Sequence, residues 1–217
     1  MKILVYIFFF INISINASAF DEDCINSKNF PFCLYKDSKI EFVILRNEKE
    51  VGWHKVIFEK TSDGFNVNTT AYLKAPYLLF FDYIFEYSSK SNWIKNTLNS
   101  HVVKIDDDGD KYSILINKID ENLLEITDQD KNKNTTSAKS VLPSDHWHPY
   151  EVTYKSLINT LNGEIININV TQVDNNTWYI DGEIKYYINY DENGKWTGLK
   201  FNADEDTLIE YICTNCD

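Results

Sequence analysis

Between residues 178 and 190 the even positions Trp178, Ile180, Ile184, Tyr186, Ile188 and Tyr190 are large and apolar, and Gly182 stands in the gap. Asp181, Glu183, Lys185 and Asn189 fall on odd positions. A period of two puts these two sets on opposite faces of an extended backbone, which excludes an amphipathic helix and requires a half-buried strand. Read as one strand, the thirteen residues make an element longer than usual, with Gly182 as its bend or bulge.

The same rhythm runs through most of the chain. Residues 39–46 and 51–60 flank Asn47-Glu48-Lys49-Glu50 as a hairpin, and Asp63-Gly64 turns the chain into 65–74. The most apolar run after the leader is 77–87, whose odd face carries Tyr77, Leu79, Phe81, Tyr83, Phe85 and Tyr87. Further strands are expected at 93–104, 112–118 and 123–127, with acidic turns at 106–110 and 120–122 and a polar loop or weak strand over 128–139. Asn193-Gly194 signals a hairpin that brings 195–201 back, and 207–212 closes the series. The period changes once: Tyr150, Tyr154, Leu157, Ile158 and Leu161 have helical spacing, Pro149 suits a helix start and Asn162-Gly163 a stop. This predicts a short helix over 149–161, with a strand as the competing reading.

About ten strands joined by short turns, without βαβ rhythm, predict a mainly β fold. The expected architecture is a single antiparallel, strongly curved sheet, a barrel or half-barrel, with the helix on its concave side. A two-sheet β-sandwich is the alternative.

Residues 1–19 read as a secretory signal peptide: Lys2, an apolar core over 3–15, then Ala17-Ser18-Ala19 as a cleavage site. The expected organisation is the leader at 1–19, a cysteine-containing segment at 20–38, a β domain at 39–212 and a tail at 213–217. No later run is long enough for a membrane helix, so an exported protein, periplasmic or extracellular, is expected. The formal charge of −12 opposes long-range attraction to nucleic acid. Cys24, Cys33, Cys213 and Cys216 suggest disulfides in such a compartment. Both local pairing and cross-pairing of the two chain ends are open. A redox role for the last two is disfavoured because no helix follows to lower a thiol pKa.

Several short motifs in fixed order carry a family resemblance: Gly52-Trp53-His54, Asp108-Gly109-Asp110-Lys111-Tyr112, Pro143-Ser144-Asp145-His146-Trp147, the stretch 157–163, Tyr190-Asp191-Glu192-Asn193-Gly194-Lys195-Trp196, Leu199-Lys200-Phe201 and Ile209-Glu210-Tyr211. Across 39–212 the chain resembles a family of exported, β-rich bacterial proteins described as a domain of unknown function. The resemblance implies an envelope location and no activity or catalytic residue; the cysteines lie outside its pattern.

Chemistry is sparse. No nucleophile elbow, phosphate-binding glycine loop, dinucleotide fingerprint or H-E-x-x-H zinc motif occurs, so no catalytic residue and no cofactor is assigned. His146 and His148, two apart, are weak metal candidates that would need a third ligand from His54, His101, Asp145 or Glu151. The favoured reading of this loop is a plug, with Trp147 in the core. The expected function is therefore non-catalytic: binding of an apolar or lipid-like molecule in a curved sheet lined by Tyr77, Leu79, Phe81, Tyr83, Phe85, Trp147, Trp178, Ile180, Ile184 and Tyr186. The alternative is a structural or assembly protein of the cell envelope with a solid core.

Overall fold

The computed structural model describes residues 20–78 and 81–216. The expected leader, 1–19, lies outside the described residues, as does Leu79. A short helix α1 (Glu22–Ile25) precedes fifteen strands. These are β1 (Lys39–Arg46), β2 (Lys49–Lys60), β3 (Gly64–Leu78), β4 (Phe81–Ile94), β5 (Thr97–Asp107), β6 (Asp110–Lys118), β7 (Leu123–Thr127) and β8 (Lys133–Ser137). After them come β9 (Leu142–Pro143), β10 (Ser156–Ile158), β11 (Ile165–Asp174), β12 (Thr177–Gly182), β13 (Tyr186–Tyr190), β14 (Trp196–Asp204) and β15 (Thr207–Cys213).

All fifteen form one sheet in the order β8-β7-β6-β5-β4-β3-β2-β1-β15-β14-β13-β12-β11-β10-β9. Only β9 and β10 pair in parallel, so the sheet is mixed and not purely antiparallel. Its two outermost strands follow one another in the chain, and no ladder joins them. The ends still approach: the Gln129 N–H, between β7 and β8, donates to the Asn162 carbonyl, between β10 and β11, at 3.3 Å. The result is the curved, unclosed, mainly β architecture that period-two patterning and short turns imply.

Four expectations need correction. The alternating run 178–190 is two strands, since β12 and β13 pair antiparallel with Trp178 opposite Ile188 and Ile180 opposite Tyr186. Because the turn leaves the parity unchanged, Trp178, Ile180, Tyr186, Ile188 and Tyr190 still all face the core. The run 77–87 is divided in the same way, with Leu78 of β3 opposite Phe81 of β4.

The helix over 149–161 shrinks to one 3-10 turn, Pro149–Thr153, capped by His148. Tyr154 is already extended, and Ser156–Ile158 pairs with β11 on one side and β9 on the other. Ladder hydrogen bonds on both sides outweigh a helical spacing that had only a weak local preference behind it. The strand total exceeds ten because 178–190 is two strands, because 133–137 forms a true edge strand, and because the short β9 and β10 join the sheet.

The concave interior is filled by two irregular segments rather than by a helix. From the N-terminal segment, Phe20, Ile25, Phe30, Leu34 and Tyr35 are buried in the same core as the strands. From the loop after β9, Trp147 is fully buried, with its ring 5.3 Å from Trp93, 5.4 Å from Phe58, 5.9 Å from Phe30 and 6.0 Å from Phe65. Tyr35 ties the two segments together by donating its hydroxyl to the Trp147 carbonyl at 2.6 Å. The cysteines pair locally, Cys24 with Cys33 and Cys213 with Cys216. Among the described residues no helix is long and apolar enough to cross a membrane.

Candidate functional site

The loop that carries Trp147 also builds a concentration of buried polar side chains beside a cavity. His146 has a left-handed backbone, φ 68°, which a non-glycine residue adopts only when its surroundings compel it. Three contacts do so here. Its N–H donates to Glu151 Oε2 at 3.0 Å, its carbonyl accepts from the Tyr190 hydroxyl at 2.8 Å, and its Nδ1 lies 3.0 Å from Glu151 Oε1. Glu151 sits in the 3-10 turn, almost fully buried, and its Oε1 also accepts from the Tyr186 hydroxyl. One buried carboxylate thus receives three donors, the condition under which a buried charge is tolerated.

Asp145 points the other way. Its Oδ1 accepts from the Tyr87 hydroxyl at 3.3 Å, and its Oδ2 lies 3.6 Å from Nε2 of the fully buried His101. Burial pushes the Asp145 carboxyl above the usual range, an effect that His101 opposes. Ser144 and Thr160 exchange a hydroxyl contact at 3.3 Å, and the Thr160 N–H donates to Ser144 Oγ.

Beside this loop lies a cavity of about 400 Å³, within the size range of small-molecule sites. Sheet register explains its lining. His54 on β2, Ala71 on β3 and Tyr87 on β4 are opposite one another in a row, and Thr69 is the next inward residue on β3. Along β4 exposure falls from Phe81 through the half-buried Tyr83 and Phe85 to the buried Tyr87, so Phe85 lines the cavity nearer the rim and Tyr87 deeper in. Leu199, Phe201 and Ile184 add to the apolar lining. Two polar atoms on this lining are buried with no hydrogen-bond partner, His54 Nε2 and Thr69 Oγ1. Burial holds His54 neutral, its pKa driven down to about 3.

The expected lining residues divide into groups. Phe85, Ile184 and Tyr186 face the cavity. Trp147, Trp178 and Ile180 belong instead to the filled core. Tyr83 is half-buried and donates to Asp107 at 2.6 Å, while Phe81 is 68% exposed on the rim, because β4 runs past its neighbour there. Tyr77 lies in β3. His146 lines the cavity, but His148 packs against Phe30 and Trp93 and accepts from the Tyr150 N–H at 3.2 Å. The two rings therefore do not converge, and among the described residues no group of three His, Cys, Asp or Glu side chains is placed to hold a metal.

Thr69, Leu199, Phe201 and Tyr211 line the cavity without having been expected there, although the last three belong to the motifs of the family resemblance, and the lining residues His54 and Asp145 were weighed for chemistry only as metal ligands. One available signal was parity: His54, Val56 and Phe58 alternate on β2, which puts His54 on the core face.

Fold and site define a β-barrel-like protein whose incompletely filled interior holds a small, polar-ended cavity. The chain belongs to the family described as a domain of unknown function, DUF6134, whose model matches residues 42–214. Its fold is similar to that of a β-barrel-like protein of another domain of unknown function, DUF1849, from Brucella abortus. That likeness has a TM-score of 0.55 at 9% sequence identity and covers 81% of this chain and 94% of the other. A search of curated proteins finds no match.

Proposed function

We propose that this chain is a non-catalytic binding protein for a small amphipathic, lipid-like molecule, working in an exported, oxidising compartment. The observation that carries this reading is the cavity of about 400 Å³ in an otherwise aromatic-packed interior, with Phe85, Leu199 and Phe201 beside the buried polar side chains of His54, Thr69 and Asp145 and the partly exposed His146. An apolar lining with a few polar groups suits a molecule with one apolar and one polar end. Two disulfides support the oxidising compartment.

Native mass spectrometry of the protein purified gently from its own compartment, followed by organic extraction, tests the reading. Near-stoichiometric release of a bound amphiphile is expected. In Ala71→Phe, which adds a ring to the cavity lining, retention should fall while the fold persists. Clean apo protein that takes up no added amphiphile would sink the reading. It would favour the second one, a structural protein of the envelope acting through its surface, for which the tight packing of Trp147, Trp178 and Ile180 speaks.

A further inference from the structure

We propose that the Cys213–Cys216 bridge is a thiol–disulfide exchange site that oxidises a dithiol of another exported protein, with Lys195 as its activating cation. The first argument is access. Cys24 of the other bridge is buried, whereas Cys213 and Cys216 are both partly exposed. Cys213–Cys216 also joins residues three apart in sequence, against nine for Cys24–Cys33, so chain entropy stabilises it less and it is the easier of the two to reduce.

The second argument is charge. In place of a helix terminus, the hairpin between β13 and β14 brings a cation to the bridge: the Lys195 ammonium donates to the Cys216 carbonyl at 2.5 Å. Glu41, on the strand that holds the turn, is already engaged by Lys39 and Lys55 and does not offset it. A cation beside a cysteine favours its thiolate, which makes Cys216 the better leaving group. The turn itself is tied to β1 independently of the bridge. Thr214 donates its N–H at 2.9 Å and its hydroxyl at 3.1 Å to the Glu41 carbonyl, and Asn215 Oδ1 accepts from the Glu41 N–H at 2.8 Å. The two sulfurs therefore stay close after reduction, and the bridge can reform.

In the exchange, one thiolate of the incoming dithiol attacks Cys213 Sγ, the Cys213–Cys216 bond breaks, and Cys216 leaves as a thiolate beside Lys195. The second thiolate attacks the partner's sulfur in the mixed disulfide and releases Cys213. The dithiol gives two electrons to the bridge, and its two protons pass to the released cysteines or to water.

The test treats full-length mature protein with dihydrolipoamide, a small dithiol, at pH 7, quenches with acid, and follows each bridge by thiol labelling and peptide mass spectrometry. Cys213–Cys216 should open about tenfold or more faster than Cys24–Cys33, with one equivalent of lipoamide formed per bridge opened. Lys195→Gln keeps a donor and removes the charge, so opening should slow about threefold or more, and Lys195→Arg should restore it. In the opened protein, iodoacetamide should reach half its maximal rate at Cys216 about one pH unit below the 8.5 of an ordinary thiol, and Lys195→Gln should move that midpoint back up. Opening no faster than at Cys24–Cys33, or a rate and pH profile unchanged in Lys195→Gln, would overturn the proposal and leave both bridges structural.

Discussion

His146 Nδ1 and Glu151 Oε1 lie 3.0 Å apart, joined across a loop that turns through a left-handed residue. Removing the carboxylate leaves the His146 N–H and the Tyr186 hydroxyl without their acceptor in a buried place. Glu151→Ala should therefore lower stability by about 3–5 kcal/mol, the range for breaking a buried charged network. Urea unfolding should show a lower midpoint with an unchanged slope. A loss below about 1 kcal/mol would show that the network contributes little.

Acid should weaken the fold before most carboxylates titrate. Burial holds both His54 and His148 down to a pKa of about 3, against 6.5 for the unbound side chain. Between these values the unfolded chain binds more protons than the folded one, so the stability present above pH 6.5 is lost as pH falls toward 3. At pH 5 each histidine should have cost about 2 kcal/mol. Asp145 acts in the opposite sense, because its raised pKa favours the folded state at low pH and costs stability as pH rises. Urea midpoints at pH 7 and pH 5 should differ less in His148→Phe than in the unaltered protein; equal pH dependence would refute the assignment.

The Cys24–Cys33 bridge closes a longer loop than Cys213–Cys216, nine residues apart against three. Chain entropy then predicts a loss of about 3 kcal/mol for the paired serine substitution at the first and about 2 kcal/mol at the second. The first should also loosen the packing of Phe30 on Trp147, visible as a weaker near-ultraviolet circular dichroism signal. An equal or greater loss at the second bridge would contradict this ordering.

Trp147→Ala should destabilise by about 3–5 kcal/mol, because a fully buried indole leaves a cavity that the surrounding rings of Phe58, Phe65 and Trp93 cannot all collapse into. Differential scanning calorimetry measures the effect, and an unchanged midpoint would mean the loop is not a structural plug.

Sequence made the inward face legible wherever period two held. Trp178, Ile180, Tyr186 and Ile188 face the core as their parity requires, even though the single strand expected through them is a hairpin. Parity survives a fold-back with an odd number of intervening residues, whereas the strand boundary depends on cross-strand pairing that no local pattern encodes. The helix misreading has the same origin: Tyr154, Leu157 and Leu161 have helical spacing, yet Ser156–Ile158 is held between β9 and β11 by pairing that the spacing does not encode. The site was less legible. Asp145, His146 and Glu151 are close in the chain, but His54 and Thr69 reach them only through sheet register and curvature.

In the middle of the sheet β1 lies between β2 and β15. The first strand therefore keeps one unpaired edge until the last strand has been made, and a nascent chain cannot complete its fold from the front. Closing so long a loop is slow, and until it closes the exposed edge from Phe42 to Arg46 is a template for pairing with another chain. Pairing of β1 on both sides thus waits for β15, and covering this edge in the meantime would protect the chain more than speeding any local hairpin.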